Sequence, residues 1–217
     1  MDKFEVKKAA SKVAAERVCK ALAAKKFIAH YAENAREACE IALSLIGEGT
    51  TVGIPGSVTV REIGLPEQLK ARGCKIAEHW LPNMTAEQSR AAQLAEFNSD
   101  WFVTSANAIT MDGTIVNIDG NGNRVAAMSW APGKIIYIIG VNKITSDVLA
   151  AVKRVRSVAS CGNALRLNLK TPCAVTGECA DCNSPGRMCS VLTIIERAPA
   201  HGARECHVII VNENLGY

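Results

Sequence analysis

Four cysteines within residues 172–189 are the part of this sequence best suited to chemistry. They are Cys173, Cys179, Cys182 and Cys189, with the spacing C-x5-C-x2-C-x6-C. Thiolates are soft ligands that favour zinc and iron–sulfur centres, and the central C-x2-C pair can direct two sulfurs to one metal. Because the surrounding segment has few apolar side chains and cannot form a core of its own, the pattern predicts that one metal centre orders it.

The spacing also bears on which metal is bound. Structural zinc sites usually contain two close cysteine pairs, whereas this segment contains one, so the uneven spacing favours an iron–sulfur cluster, with zinc as the alternative. Cys161 is near enough in sequence to be a fifth or exchangeable ligand. Two disulfides, or four unrelated thiols in a flexible loop, are the interpretations without a metal. Four further cysteines on apolar faces are predicted core thiols: Cys19, Cys39, Cys74 and Cys206.

Composition restricts the classes of protein to consider. The chain has 217 residues, 48% of them hydrophobic, and a net charge of +4 that is scattered along it, which argues against nucleic-acid binding. We find no apolar leader and no membrane-spanning run, so we expect a cytoplasmic protein, in which nine cysteines, an odd number, argue against a disulfide framework. We predict one domain over residues 1–217, with residues 171–190 as a cysteine-rich metal loop inserted before the last strands.

The elements that must position these residues alternate between strands and helices. Apolar periodicity and turn residues predict strands over 27–31, 51–54, 74–80, 101–110, 114–118, 134–140, 191–196 and 206–211. Helices are predicted over 4–24, 34–46, 85–97, 124–130 and 145–167, with a short helix after residue 57. This pattern indicates a three-layer α/β fold with a mixed, mostly parallel sheet flanked by helices, whose ligand crevice lies outside the carboxyl ends of the parallel strands.

Two glycine loops fall at predicted strand ends. Gly56, Ser57 and Thr59 lie where a strand turns into a helix, and their amides and hydroxyls could form either an anion site or a plain helix cap. Residues 120–123 could likewise form an anion-binding nest or a tight turn.

Polar side chains beside these loops strengthen the prediction of a binding site. The amide of Asn107 and the carboxylate of Asp119 are expected at the same crevice, where they could orient a hydroxyl or a sugar. Asp119 or Glu62 is a candidate general base, although a carboxylate in a turn is more often a cap. No P-loop, dinucleotide-binding or Ser-His-Asp pattern is present. The four histidines show no spacing typical of metal ligands: His30, His79, His201 and His207.

Several longer stretches resemble the lactate-utilisation (LUD domain) family. They are GSVTVREIGL (56–65), TSANAITMDGTIVNIDGNGNRVAAM (104–128), IIGVNKIT (138–145), TPCAVTGECADCNSPGRMC (171–189) and the terminal VIIVNENLGY. The resemblance implies a fold similar to that of ribose-phosphate isomerases, glucosamine-phosphate deaminases and coenzyme A transferases. Many chains of this family lack the four-cysteine loop, which suggests a subgroup with an electron-transfer or structural addition.

The resemblance also implies a function and a ligand site. It implies an accessory role in oxidising lactate to pyruvate, beside iron–sulfur and flavin oxidoreductase subunits, with a small anionic ligand and with homo-oligomer formation left open. The matching positions nominate as ligand-binding residues Gly56, Ser57, Asn107, Gly113, Asn117, Asp119, Gly120 and Asn123. The sequence has no glutamate in a transferase-like E-x-G setting and no lysine within 104–128, which argues against isomerase or transferase chemistry.

Two other functions stay open at this stage. The first alternative is an enzyme or sensor for a sugar phosphate or a coenzyme A ester, with a structural zinc. The second is a binding module without turnover. A redox-active cluster would favour the lactate role, whereas zinc and stabilisation by sugar phosphates would favour the first alternative.

Overall fold

The computed structural model describes residues 2–199 and 204–217, so His201 lies outside the described residues. The strands are β1 (Ile28–Ala32), β2 (Thr51–Gly53), β3 (Lys75–Ala77), β4 (Trp101–Thr104), β5 (Ala108–Thr110), β6 (Ile115–Asp119), β7 (Lys134–Gly140), β8 (Ile144–Thr145), β9 (Val191–Ile195) and β10 (Cys206–Val211). The α-helices are α1 (Lys3–Ala24), α2 (Ala35–Leu45), α3 (Val58–Glu62), α4 (Leu65–Ala71), α5 (Ala86–Phe97), α6 (Asn123–Ser129), α7 (Val148–Arg154), α8 (Cys161–Arg166) and α9 (Pro172–Thr176).

The main sheet has six strands in the order β1-β10-β7-β4-β2-β3, and every neighbouring pair is parallel. Its central strands are continuous apolar runs because helices cover both faces. Along β7, Ile135, Tyr137 and Ile139 pack into one core cluster, while Ile136 and Ile138 pack into the cluster on the opposite face. The predicted mixed α/β fold, with a mostly parallel sheet flanked by helices, is therefore confirmed.

Four strands form a second sheet in the order β8-β5-β6-β9. The sequence pattern predicted a single mixed sheet and did not distinguish these strands from those of the main sheet. The predicted strand over 101–110 is two strands, of which β4 belongs to the main sheet and β5 to the second. Between them, the backbone amide of Asn107 donates to the side-chain oxygen of Asn117 at 2.9 Å, in place of a strand partner. The antiparallel pair predicted on either side of the Asp112–Gly113 turn is β5 with β6.

The predicted long helix over 145–167 is interrupted. It begins at Val148 rather than at residue 145, because Asp147 is the N-cap and its side chain accepts from the amide of Ala150 at 2.9 Å. Residues Val155–Ser160 then form a π-helical stretch, and α8 follows directly. Such stretches are rare and are frequent at functional sites, since they displace side chains from the regular helical spacing.

Side-chain caps begin two of the predicted helices. Asn34 caps α2 by accepting from the amide of Glu37 at 3.0 Å. Thr85 and Gln88 form the reciprocal capping box of α5. Among the described residues, none of the helices combines the length and hydrophobicity that crossing a membrane requires.

Candidate functional site

A cavity of about 320 Å³ opens at the carboxyl ends of the parallel strands. The segments that follow β2, β3, β4, β7 and β10 each contribute lining residues, as does the end of β6 in the second sheet. The π-helical stretch and α8 complete one wall, and the cysteine loop contributes Arg187 and Met188. The cavity therefore lies where the two sheets, the interrupted helix and the cysteine loop meet.

Seven of the nine predicted ligand residues line this cavity. They are Gly56, Ser57, Thr59, Asn107, Asp119, Gly120 and Asn123. Gly113 does not line the cavity, because it lies in the β5–β6 turn, where an added Cβ would lie 3.1 Å from the backbone nitrogen of Leu22 in α1. Asn117 does not line it either, since it is fully buried and its side-chain oxygen accepts from Asn107 and Arg124. The fold thus brings most of the predicted residues together at the cavity. The remaining two, Gly113 and Asn117, support the backbone around it.

Several of the lining polar groups also have structural partners. Asp119 accepts through Oδ2 from the amides of Arg124 and Val125, at 2.9 and 3.2 Å, and so caps α6. Ser57 caps α3 by accepting from the amide of Val60 at 3.3 Å. Asn107 uses its side-chain oxygen to accept from the amide of Ile118 at 2.9 Å. These hydrogen bonds fix the loops, which favours the cap interpretation for Asp119 over a general base.

Lys143 is the most buried cation in the cavity wall, with 3% of its surface exposed. It follows β7 in a short 3-10 turn, and its Nζ donates to Oγ1 of Thr59 at 2.9 Å and to Oγ of Ser105 at 3.0 Å. Among the residues that the structure describes, no carboxylate lies within ion-pair distance of Nζ. Burial, with the nearby charge of Arg154, lowers the pKa of Lys143 to about 7.

The C-terminal segment closes over this lysine. Gly216 has a φ of +60°, and a Cβ at this position would lie 3.0 Å from Nζ of Lys143 and would overlap Oγ1 of Thr59. The amide of Gly216 donates to Oε2 of Glu62 at 2.6 Å. A glycine is needed here both for the left-handed backbone and for the space beside the lysine.

The opposite part of the wall presents an indole and a guanidinium. The guanidinium of Arg166 lies over the ring of Trp80, 4.6 Å from its centroid. Nε1 of Trp80 is buried and has no hydrogen-bond partner within the described ranges. Gly56, with a φ of +67°, lies against this nitrogen, because a Cβ there would overlap it. The wall thus offers an unpaired donor beside a fixed positive charge.

His79 is held in the same wall by a buried carboxylate. Its Nδ1 lies 2.6 Å from Oε1 of Glu96, and its backbone amide donates to the same oxygen at 2.8 Å. Glu96 is 1% exposed and lies at the end of α5, where Gly53 of β2 packs directly against its backbone. The carboxylate fixes the ring orientation of His79 through Nδ1.

Hydrogen bonds connect the cysteine loop to the cavity. Arg187 donates to the carbonyl oxygens of Cys182 and Cys189, at 2.5 and 3.3 Å, and to Oδ1 of Asp181 at 2.9 Å. The amide of Ser190 donates to the carbonyl oxygen of Asp119 at 2.8 Å. These contacts connect the loop to the cavity wall, and the prediction that a metal centre orders the loop stays a prediction.

The thiols of this loop share one neighbourhood with Cys161. Burial, together with the thiols of Cys173, Cys179 and Cys189, raises the pKa of Cys161 to about 11. Burial also raises the pKa of Cys189, and the thiols of Cys173, Cys179 and Cys182 raise it further. Within residues 2–199 and 204–217, however, no three His, Cys, Asp or Glu side chains are arranged so as to hold a metal ion.

The donor chemistry of the loop fits a soft metal even though the thiols are not gathered around one point. Hydrogen bonds from Ser184 lower the pKa of Cys182, which favours the thiolate that a metal requires. All nine cysteines are free of disulfides. Cys39, Cys74 and Cys206 are buried, in keeping with core thiols, and Cys19 is half-buried.

Comparison with known proteins identifies the family. Residues 15–211 match the LUD domain. The chain belongs to the LUD domain family. This family is associated with lactate utilisation in general, and the resemblance noted in the sequence is confirmed. A search of curated proteins finds no match.

A solved structure supports the fold of this LUD domain chain. The chain is similar to the crystal structure of a DUF162 family protein from Deinococcus radiodurans, with a TM-score of 0.53 and 15% sequence identity. The match covers 93% of this chain and 98% of the other. At this identity the likeness concerns the fold alone.

Sequence reasoning missed several side chains that line this LUD domain cavity, among them His79, Trp80, Arg124, Lys143, Arg166 and Arg187. One signal was available for Lys143, which lies just past the carboxyl end of the buried strand β7. Arg166 follows the π-helical stretch, whose displaced spacing the sequence pattern does not reveal. Apart from His79, the cavity is lined by four basic side chains, of Arg124, Lys143, Arg166 and Arg187, and by one acidic side chain, of Asp119.

Proposed function

We propose that this LUD domain chain is an accessory subunit in the oxidation of lactate to pyruvate, and that its cavity binds a small 2-hydroxy or 2-oxo carboxylate. The observation that carries the ligand class is the excess of basic over acidic side chains around the cavity, with Lys143 buried and without a carboxylate partner among the described residues. The three arginines of the wall, Arg124, Arg166 and Arg187, give the cavity a positive charge that a carboxylate ligand would offset, whether or not Lys143 is protonated.

The cavity size supports a small ligand. About 320 Å³ is near the lower end of the range for small-molecule sites, which suits a three-carbon acid. Arg166 and Arg187 supply fixed positive charges for the carboxylate. The side-chain NH₂ of Asn107 is a donor in the wall for the hydroxyl or carbonyl oxygen.

The second part of the proposal concerns the cysteine loop. Cys173, Cys179, Cys182 and Cys189 would hold an iron–sulfur cluster, with zinc as the alternative. A cluster supplies one-electron transfer when it is bound, whereas zinc supplies only rigidity. The shared neighbourhood of these thiols supports the proposal, because they already influence one another's pKa and belong to a loop without its own core, which can rearrange around a metal.

The partners follow from the electron balance. Oxidation of lactate to pyruvate releases two electrons and two protons, which a flavin subunit can accept, and a cluster beside the cavity would pass electrons onward. We therefore expect iron–sulfur and flavin oxidoreductase subunits as partners. Arg187 belongs to both sites, since it lines the cavity and hydrogen-bonds to Cys182 and Cys189 of the loop.

Ligand binding by the full-length protein tests this function. Isothermal titration and thermal unfolding would compare lactate and pyruvate with propionate, ribose 5-phosphate and coenzyme A. We expect lactate or pyruvate to bind more tightly than propionate, because propionate has the carboxylate but no oxygen at C2. Stabilisation by ribose 5-phosphate or coenzyme A, without any by the three-carbon acids, would contradict the proposal and support the alternative of a sugar-phosphate or coenzyme A ester protein with a structural zinc.

A further inference from the structure

The surroundings of Lys143 differ from those of a lysine that only provides charge. Its side chain is almost fully buried, and Nζ contacts two neutral hydroxyl groups, on Thr59 and Ser105. Lysines that anchor anions are usually solvated or paired, because a hydrated ammonium is stable and a buried one is not. The site therefore favours a neutral amine, whose lone pair is free to react.

The charges around Nζ act mostly in the same direction. After burial, Arg154 on α7 and Arg124 on α6 disfavour the ammonium, while Glu62 on α3 favours it. Glu62 is also engaged with the amide of Gly216, at 2.6 Å. With the pKa lowered to about 7, about half of the amine is neutral near pH 7, against a very small fraction for an ordinary lysine.

The amine is held rigidly at the cavity wall. Lys143 follows the central strand β7, and the neighbouring Asn142 accepts from the amide of Leu215 through Oδ1 at 3.1 Å. Arg154 donates to the carbonyl oxygen of Asn142 at 3.1 Å. A nucleophile fixed in this way needs little reorganisation to reach a ligand in the cavity.

We propose that Nζ of Lys143 forms a reversible imine with the C2 carbonyl of a small 2-oxo acid bound in the cavity. The lone pair of the neutral amine forms the C–N bond, and the carbonyl π electrons move to oxygen. The two amine protons are then transferred to that oxygen, which leaves as water, and no oxidant or reductant is consumed. Ser105 and Thr59, at 3.0 and 2.9 Å from Nζ, are the groups that carry these protons.

This inference rests on the proposed function for its substrate class, since a 2-oxo acid is the product of lactate oxidation. The carboxylate of the ligand would face Arg166 or Arg187, and its C2 carbonyl carbon would then face Nζ of Lys143. The imine would retain the product at the site until water releases it.

Trapping with borohydride tests the inference. The full-length protein is incubated with pyruvate and sodium cyanoborohydride, and the intact mass and peptide map are measured. We expect one reduced adduct per chain, on Lys143, with a rate that rises between pH 6 and pH 8 as the amine becomes neutral. Lys143→Met and Lys143→Arg should lose the adduct, whereas Lys153→Arg, at an exposed lysine of α7, should keep it.

Two further measurements distinguish a failure of the imine inference from a failure of the proposed function. Ser105→Ala leaves the lysine in place and should slow adduct formation even if the Lys143 variants fold poorly, which circular dichroism would reveal. Pyruvate binding measured without borohydride tests the proposed function independently. Binding without any adduct at Lys143, or adducts spread over surface lysines, overturns the inference and leaves the function intact; absence of binding overturns the function.

Discussion

Nδ1 of His79 lies 2.6 Å from Oε1 of Glu96, although His79 follows strand β3 of the main sheet and Glu96 lies at the end of helix α5. The same oxygen accepts from the backbone amide of His79 at 2.8 Å. One buried carboxylate oxygen therefore satisfies both a ring nitrogen and a main-chain donor beside the cavity.

Replacing this carboxylate should destabilise the chain. Glu96→Ala leaves two donors of His79 without an acceptor, so we expect the free energy of unfolding to fall by about 1–3 kcal/mol. Glu96→Gln keeps an acceptor oxygen and should lose less. Urea unfolding measures both, with Glu40→Ala as the control, because Glu40 is exposed and forms an ion pair with the exposed Arg36. Equal losses for Glu96→Ala and Glu40→Ala would show that the hydrogen bonds between Glu96 and His79 do not stabilise the folded chain.

Gly56 offers a test of close approach to Trp80. Gly56→Ala combines a left-handed backbone, with φ +67°, and an overlap with Nε1 of the indole. Gly49 has a φ of +68°, and a Cβ added there would meet no atom within 4 Å, so Gly49→Ala carries the backbone strain alone. We expect about 1–2 kcal/mol of destabilisation for Gly49→Ala and clearly more for Gly56→Ala, measured by urea unfolding. Equal effects would mean that Trp80 does not pack against Gly56 in solution.

The buried amine of Lys143 predicts an unusual pH dependence of stability. Its pKa is about 7 in the folded chain and 10.5 ordinarily, so between these values the unfolded chain binds more protons. Stability due to this group therefore rises with pH from 7 to 10.5, by up to about 1.4 kcal/mol per pH unit. Relative to Lys143→Met, the native sequence should gain stability across this range in urea unfolding. A constant difference between the two would show an ordinary pKa in the folded chain.

How far the sequence predicts this site depends on what local pattern can reveal. The loops after β2 and β6 were predicted as cavity walls because glycines at the carboxyl ends of strands have a local signature. The position of Lys143 just past β7 places it at the same edge of the sheet, but its contact with Thr59, 84 positions earlier in the chain, depends on the order of strands in the sheet, which local pattern does not reveal. The basic side chains of α8 and the cysteine loop likewise reach the cavity through tertiary packing alone.

The second sheet shows the same limit in the fold. The three small residues between β4 and β5, at 105–107, include neither glycine nor proline, so no turn residue marks the change of sheet. The change depends on Asn107 and Asn117, whose side chains hydrogen-bond to main-chain amides of the neighbouring strand segments. In both cases a side chain takes the place of a neighbouring strand as hydrogen-bond partner. Such a contact can be recognised only when the three-dimensional positions of both segments are known.

The cysteine loop yields the last prediction. We expect protein purified without oxygen to contain iron and sulfide, and Cys182→Ser to lose them, because a serine hydroxyl is a poor ligand for soft metals. Cys74→Ala, in the core, should retain the metal, which separates ligand loss from misfolding. Elemental analysis and visible absorption measure both variants. Zinc in place of iron would select the structural alternative, and folded, metal-free protein whose loop thiols are all alkylated would contradict the metal centre, since a bound metal protects its thiolates.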